Sequence, residues 1–203
     1  MSANELFSAA EIGAVAGVPI KSVYKVIEQR LPGGLVVRRK HQRLLTRQGA
    51  VCVVIDFRMP KDVPVAVRKQ VYARIKDSAS WGMITCKYGI LQYVVDVKPT
   101  AEKVDADLAK YRKAMKLIVE DSNIQGGAAT FKGTRILVHQ ITDLISRGAT
   151  EEELREDYPR LTRAMIAAAT VYSKAHPRRG RPRRPAWRNN EPRSERTLER
   201  QRA

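Results

Sequence analysis

The chain has 203 residues, of which 43% are hydrophobic, so it is large enough to bury a core over most of its length. Its 38 Lys and Arg against 21 Asp and Glu give a net charge of +17, which points to a polyanionic partner or an acidic protein surface. Two cysteines, Cys52 and Cys86, lie in apolar runs, so they are interpreted as buried side chains and not as a disulfide framework. No apolar stretch approaches the roughly 20 residues that span a bilayer, and Met1–Glu5 does not begin a secretory signal. We therefore expect a cytoplasmic protein without a membrane partner.

A helix-turn-helix pattern opens the chain. Residues 8–16 and 20–30 carry apolar side chains at helical spacing, and Gly17-Val18-Pro19 separates them as a tight turn. Ser8 and Glu11 have the spacing of a capping box, which satisfies free amides at the start of the first helix. Pro19 suits the start of the second helix, where its missing N–H is not needed.

The second helix is followed by a basic hairpin. Residues 35–46 predict two short strands around a charged tip, after the breaker Pro32-Gly33-Gly34. Ile20, Val23, Val26 and Ile27 are expected to pack inward, which leaves the polar side chains of the helix free for a DNA groove. The candidate DNA-binding residues of the helix and hairpin are Lys21, Ser22, Tyr24, Lys25, Arg38, Arg39, Lys40, His41 and Arg43. Glu28 is a further exposed side chain of the helix that could reach the DNA. The alternative is that Lys21 and Lys25 only solvate a surface helix.

The middle of the chain predicts helices and a second hairpin. Helices are expected over 47–57 and 64–77, and a hairpin over Trp81–Val97 that turns near Lys87-Tyr88-Gly89. A further helix is expected over 102–119. We interpret this region as a scaffold or a dimerisation element.

Three short helices are predicted near the C-terminal end of the sequence, after a small β-ribbon with glycine turns over 124–136. Thr150 and Glu153 form a second capping box, and Thr162 caps the third helix. The helices are expected over Val138–Arg147, from Glu151 to the break at Tyr158-Pro159, and from Arg163 to about Lys174. This order describes a homeodomain-like helix-turn-helix module, in which Arg160, Thr162 and Arg163 could also face DNA.

An Arg- and Pro-rich tail begins at Pro177. Ten Arg against three Glu give it a net charge of +7, and Trp187 and Leu198 are its only large apolar side chains. Such a segment cannot offset its ordering entropy, so we expect disorder. The predicted fold class is therefore α+β with four regions. These are a winged helix-turn-helix (1–60), a mixed helix and hairpin segment (61–122), the three-helix module (123–176) and the tail (177–203).

The third region closely resembles the domain-of-unknown-function 433 family. The motifs that carry the resemblance are Gly126-Gly127, Phe131–Val138, Asp143-Leu144, Gly148–Leu154, Tyr158–Thr162 and Ala167–Pro177. This family's members are small helix-turn-helix proteins of the VapB antitoxin type, paired with PIN-like ribonuclease toxins. The resemblance, and not composition, implies such a pairing here.

The first region more loosely resembles the winged-helix start of MerR and excisionase-like regulators, over Leu6–Asp56. Pro19 replaces the usual small polar cap of the recognition helix, and Leu31-Pro32-Gly33 departs from the pattern that follows it in MerR sensors. Metal sensing is disfavoured because no Cys loop is present, and His41 has no second ligand at metal spacing.

The tail offers a mechanism for toxin neutralisation. Arg side chains entering the carboxylate cluster of a PIN-like ribonuclease would form bidentate hydrogen bonds there and displace its metal ions. The candidate toxin-binding residues are Arg178, Arg179, Arg181, Arg183, Arg184, Trp187 and Arg188. The alternative is a nucleic-acid arm, since Arg179-Gly180-Arg181-Pro182 is similar to an AT-hook that lies in a narrow minor groove.

Together these features predict an antitoxin that neutralises a PIN-like ribonuclease toxin and represses its own operator DNA. Homodimers and hetero-oligomers with the toxin are expected. A single small helix-turn-helix contacts few base pairs, and a dimer on a palindromic operator doubles those contacts. A stand-alone transcription regulator is the main alternative, and an architectural protein without sequence preference is a third. We expect no enzyme activity, catalytic residue, metal or cofactor, because the acidic residues are scattered and no nucleophile set or phosphate loop is present.

Overall fold

A computed structural model describes residues 5–39, 42–78 and 80–178 of the chain. Over these residues the protein is an α+β structure of eight α-helices and three small antiparallel sheets. The helices are α1 (Ala9–Ala16), α2 (Ile20–Gln29), α3 (Arg47–Arg58), α4 (Val65–Asp77), α5 (Lys98–Met115), α6 (Val138–Ser146), α7 (Glu151–Asp157) and α8 (Arg163–Ala175). The strands are β1 (Phe7–Ser8), β2 (Val36–Arg39), β3 (Gln42–Leu45), β4 (Met83–Tyr88), β5 (Leu91–Asp96), β6 (Ile118–Val119) and β7 (Thr130–Phe131). None of the helices in these ranges combines the length and the apolar character that crossing a bilayer requires.

The predicted capping box starts α1. Ser8 Oγ accepts from the Glu11 backbone N–H at 3.2 Å, and Glu11 Oε2 accepts from the Ser8 backbone N–H at 2.6 Å. The helix ends at Gly17 with a φ of 67°, a left-handed conformation that glycine adopts without strain. A Cβ on Gly13 would lie 2.9 Å from the Val18 carbonyl oxygen, so the turn from α1 to α2 needs a residue without a side chain there.

The N-terminal sheet has the order β1-β3-β2, so the β2–β3 hairpin is completed by the short strand before α1. Leu45, at the end of β3, is opposite Phe7 on one side and Val36 on the other. Thr46 then caps α3, whose Gly49 lies so close to the hairpin that a Cβ would be 2.6 Å from the Leu35 carbonyl oxygen. The hairpin is therefore fixed against the start of α3.

Several elements in and after the middle of the chain lie at positions other than those predicted. The helix expected over 102–119 is α5, which begins earlier because Pro99 fits its first turn. Ile118–Val119 is instead strand β6, which pairs with β7, so the ribbon expected within 124–136 takes one of its strands from upstream. The β4–β5 hairpin turns at Gly89-Ile90, one residue later than predicted, since Tyr88 is opposite Leu91.

The described residues form two hydrophobic clusters. The first is built around the buried helix α3, with Val51 and Val53 on α3 and Tyr72 on α4 among its buried side chains, and both cysteines are buried in it as predicted. The second is centred on Phe131 and Ile141. Helix α8 packs against α6 and also against α1 and α5, so the C-terminal helices lie directly on the N-terminal ones.

The helix signals of the C-terminal part are confirmed. Gly148, with a φ of 100°, follows α6, and the Thr150–Glu153 capping box starts α7 with both of its hydrogen bonds formed. Thr162 Oγ1 accepts from the Met165 backbone N–H at 3.3 Å at the start of α8. These short-range interactions place the three helices as the sequence predicts.

Candidate nucleic-acid interface

The outer face of α2 is polar and basic. Lys21, Tyr24 and Lys25 are exposed, whereas Val23, Val26 and Ile27 are buried on the opposite face. Ser22 is half-buried beside them. The predicted inward packing of Ile20 is wrong, because the side chain is 45% exposed at the first residue of the helix, before the buried face begins. Glu28 and Gln29 are exposed towards the end of the helix, so the exposed side chains of α2 are two cations, one carboxylate, one amide, one aromatic ring and one apolar side chain.

The β2–β3 hairpin adds more cations next to this face. Arg38 and Arg39 are exposed on β2, and Arg38 is directly opposite Arg43 of β3. Like charges in opposite positions of a hairpin destabilise it. Arg43 Nη1 lies 3.1 Å from Glu28 Oε1 on α2, which neutralises one of the two charges and ties the hairpin to the helix. Lys40 and His41, also predicted to bind DNA, lie outside the described residues.

Two grooves flank the contact between α2 and the hairpin. One, of about 470 Å³, is lined by Ile27, Glu28, Leu31, Val36, Arg38 and Arg43. The other, of about 640 Å³, lies between Tyr24 and Arg43 on one side and His176 and Pro177 on the other. The C-terminal end of α8 therefore borders the same surface as α2, and the chain continues from there into the Arg-rich tail.

A buried carboxylate anchors the C-terminal end of α2. Arg30 Nη1 donates to both oxygens of Asp56 at 2.6 and 2.7 Å, and Arg68 Nη1 donates to Asp56 Oδ1 at 3.1 Å. Tyr72 also donates its hydroxyl to Asp56. Burial alone would raise the pKa of Asp56, but the hydrogen bonds from Tyr72, Arg30 and Arg68 lower it below its ordinary value. The network joins α2, α3 and α4, so the exposed face of α2 is held on a rigid base.

Sequence reasoning missed this network. The available signal was an acidic residue at the end of the apolar run Val51–Ile55, because a carboxylate next to a buried helical segment requires partners. The partners themselves, Arg30 and Arg68, are 26 and 12 residues away in the chain. No spacing rule brings them together.

A second polar contact joins α8 to the N-terminal helices. Tyr111 on α5 donates its hydroxyl to Glu11 Oε1 at 2.6 Å, and the same hydroxyl lies 3.0 Å from His176 Nε2. The His176 ring stacks on Tyr172 with 4.5 Å between ring centroids. Burial and the hydrogen bond to Glu11 raise the pKa of Tyr111, so its hydroxyl stays protonated and donates. Glu11 therefore both caps α1 and holds α5.

The third helix of the C-terminal part, α8, is largely enclosed. Ala168, Ala169 and Ala175 are buried, where α8 packs against α1, α5 and α6. Arg160, Thr162 and Arg163 are exposed, with Arg163 Nε 3.3 Å from Glu151 Oε2. Ala168, Ala169 and Ala175 thus serve contacts within this chain, whereas Ala164 and Ala167 are exposed.

The tail is described only at its start. Arg178 Nη1 pairs with Asp143 Oδ2 on α6 at 2.8 Å, and both side chains are about half exposed. The other predicted toxin-binding residues, Arg179, Arg181, Arg183, Arg184, Trp187 and Arg188, lie outside the described residues. Within residues 5–39, 42–78 and 80–178, no three His, Cys, Asp or Glu side chains are grouped so that they could hold a metal ion.

Part of the chain resembles a known protein family. Residues 118–173 match the family described as "Protein of unknown function (DUF433)", from β6 into α8. The chain is thus an α+β protein in which residues 118–173 are similar to this family. It is also similar to a protein of Sinorhizobium fredii (strain NBRC 101917 / NGR234) named "Uncharacterized protein y4eO", with 23% identity over 189 residues, 87% of this chain and 84% of the relative. No solved structure matches the chain. The likeness to the Sinorhizobium protein covers both the N-terminal part and the DUF433 region.

Proposed function

We propose that the protein binds DNA sequence-specifically, through a winged helix-turn-helix formed by α1, α2 and the β2–β3 hairpin. The observation that carries the proposal is the basic face of α2 lying beside the arginine-rich hairpin, with the two joined by the Glu28–Arg43 ion pair. In such an arrangement α2 enters the major groove and the hairpin, as the wing, contacts the neighbouring backbone. The net charge of the chain supports a polyanionic partner.

The exposed residues have separable roles in this proposal. Lys21, Tyr24 and Lys25 contact base edges and flanking phosphates, and Ile20 offers an apolar contact to a thymine methyl group. Arg38 and Arg39 neutralise phosphates, which fixes the position of the protein without reading sequence. Substitutions on the hairpin should therefore weaken binding to all DNA sequences. Substitutions on α2 should also change which DNA sequences the protein prefers.

A selection from random double-stranded DNA tests the proposal. The wild-type chain should enrich a defined motif, and K21A/K25A should lose both the motif and affinity. K69A/R74A is the matched control, because it also removes two exposed cations, both on α4 and outside this surface. No enriched motif, with affinity that falls steeply in salt for every sequence, would instead favour an architectural protein. Equal effects of the α2 and α4 variants would place the DNA surface elsewhere.

The second candidate function is that of an antitoxin of the VapB type that represses its own operator. It is favoured by the DUF433 match, since the family occurs in toxin–antitoxin-like contexts, and by the arginine-rich tail. In this proposal the chain binds and neutralises a PIN-like ribonuclease toxin. Co-expression with the product of the adjacent gene is the test, with copurification and rescued growth expected. If no partner copurifies and growth is not rescued, a stand-alone regulator is the better account.

A further inference from the structure

The β4–β5 hairpin exposes apolar side chains on an otherwise basic protein. Residues 87–92 are all exposed, and Ile90 at the turn is entirely so. Met83, Tyr88, Leu91 and Val94 are also exposed. Lys87 and Asp96 are the only charged residues between positions 83 and 96, so this stretch has no net charge in a chain of +17. Tyr88 and Leu91 lie on one face of the hairpin and Met83 and Val94 on the other, so the exposed apolar side chains are spread over the tip and both faces. Exposed apolar surface of this kind is a candidate interaction site.

The two edges of the hairpin differ. Helix α4 packs against β4, and Gln70 Nε2 on that helix donates to the Lys87 carbonyl oxygen at 3.4 Å, so the β4 edge is covered. Strand β5 pairs with β4 alone among the described residues. An uncovered edge strand presents backbone N–H and C=O groups that can pair with another strand.

Space for an added chain exists beside β5. A groove of about 300 Å³ separates Val94 and Val95 from the end of α3, where its walls are Ile55, Met59 and Pro60. Thr100 closes the groove at the start of α5. Arg58 and Asp96 also line the groove, so the β5 edge opens onto a surface of mixed polar and apolar character.

We propose that β5 pairs with β5 of a second copy of the chain, antiparallel about a two-fold axis at Val94. Opposite residues of an antiparallel pair point to the same face, so only registers that match like faces are allowed. Centring on Val94 places Val94 opposite Val94 of the second copy, Tyr93 opposite Val95, and Gln92 opposite Asp96. Apolar residues meet apolar ones and polar residues meet polar ones.

Charge supports a second copy as the occupant. Two chains of net charge +17 repel each other over most of their surfaces, and this hairpin, which has no net charge, is where they can approach. An acidic partner would be attracted to the basic surfaces instead. The pairing is isologous, as two-fold dimers require, and it joins the copies into a four-stranded sheet. The inference does not rest on DNA binding, since it uses neither α2 nor the β2–β3 hairpin.

The test is the oligomeric state of the full chain by sedimentation equilibrium in about 0.5 M salt, which releases bound nucleic acid. The wild type should be a dimer. Val94→Lys puts two like charges opposite each other and should raise the dimer dissociation constant at least about tenfold. Met83→Lys is the matched control, because Met83 is exposed on the same face but on the covered strand β4, and it should leave the dimer intact.

If Val94→Lys does not fold, cysteine variants at positions 94 and 83 test the same pairing. Backbone-paired residues of antiparallel strands have Cα atoms about 5.5 Å apart, a distance that a disulfide spans. Val94→Cys should therefore form a covalent dimer under mild oxidation, and Met83→Cys should not. A monomeric wild type, a dimer unaffected by Val94→Lys, or equal crosslinking at both positions would each overturn the proposal.

Discussion

Arg43 on β3 and Glu28 on α2 form an ion pair of 3.1 Å at the centre of the candidate DNA surface. Their side chains are 39% and 55% exposed, so the pair contributes little to stability. Its effect is electrostatic. Glu28 places a negative charge among cations and occupies an arginine that would otherwise be free for phosphate.

Replacing Glu28 should tighten DNA binding. In Glu28→Gln the repulsion from phosphate is removed and Arg43 is released, so affinity for random-sequence DNA should rise several-fold, with a salt dependence steeper by about one neutralised phosphate. Fluorescence anisotropy across a salt series measures both quantities. Glu102→Gln, at an exposed glutamate on α5, is the control and should change neither. Indistinguishable results for the two variants would remove Glu28 from the DNA surface.

Deleting residues 179–203 should weaken DNA binding without destabilising the fold. The deleted segment carries nine Arg and three Glu, and the chain enters it from Pro177, which borders the same groove as Tyr24 and Arg43. The slope of log affinity against log salt should become shallower by roughly 0.9 for each phosphate that the tail neutralises in the full chain. The unfolding midpoint should stay the same, since Trp187 and Leu198 are the only large apolar side chains in the deleted sequence.

The opposite result for the tail is equally informative. If the truncated chain binds DNA unchanged but no longer copurifies with the product of the adjacent gene, the tail serves the proposed toxin and not the operator. That outcome would contradict the DNA-arm prediction while supporting the antitoxin proposal.

Asp56 should be a main determinant of stability at neutral pH. Asp56→Ala leaves Arg30 and Arg68 without their shared acceptor, and breaking such a buried group costs about 3–5 kcal/mol. Urea unfolding at about pH 7 measures the loss of stability. An unchanged unfolding free energy would show that water replaces the carboxylate at no cost. Glu102→Ala is the exposed comparison, for which we expect a change below about 0.5 kcal/mol.

The hydrogen bonds of Asp56 also make the stability of the fold depend on pH. Because hydrogen bonds hold the pKa of Asp56 below its unfolded value, its stabilisation is complete above the unfolded pKa of about 3.9. It is lost as the pH falls through the folded pKa. The difference in unfolding free energy between the wild type and Asp56→Asn should therefore be constant near neutrality and shrink in acid. A difference that grows as the pH falls would contradict this assignment.

Tyr111→Phe should loosen α8 from the N-terminal helices. The variant removes the hydroxyl that contacts Glu11 and His176, and an unsatisfied buried polar group costs about 1–3 kcal/mol. Hydrogen exchange should show faster opening of α8, together with a lower unfolding midpoint. Tyr88→Phe, on the exposed end of β4, is the control for loss of a hydroxyl. Equal exchange of α8 in both variants would mean that apolar packing alone holds the helix.

Local signals in the sequence were sufficient for most elements. The capping boxes at Ser8 and Thr150, the Thr162 cap and the glycine after α6 set helix ends through interactions over three or four residues, so they can be predicted without a structure. Periodicity also identified the buried face of α2, although it wrongly included Ile20. The displaced α5 and β6 show the limit, because Ile118 continues a helical pattern but pairs with Phe131.

The sequence by itself determined the α+β class, the basic character of the chain and the approximate positions of α1, α2 and the two hairpins. Only the tertiary structure decided which charges remain free. Arg30, Arg43 and Arg68 are all cations in the sequence, yet Arg30 and Arg68 are bound to a buried carboxylate and Arg43 to Glu28. It also decided that α8 lies against α1 and α5, and that β5 pairs with no strand other than β4 within residues 5–39, 42–78 and 80–178. These contacts join residues far apart in the chain, and their energies depend on burial and geometry that no local pattern contains.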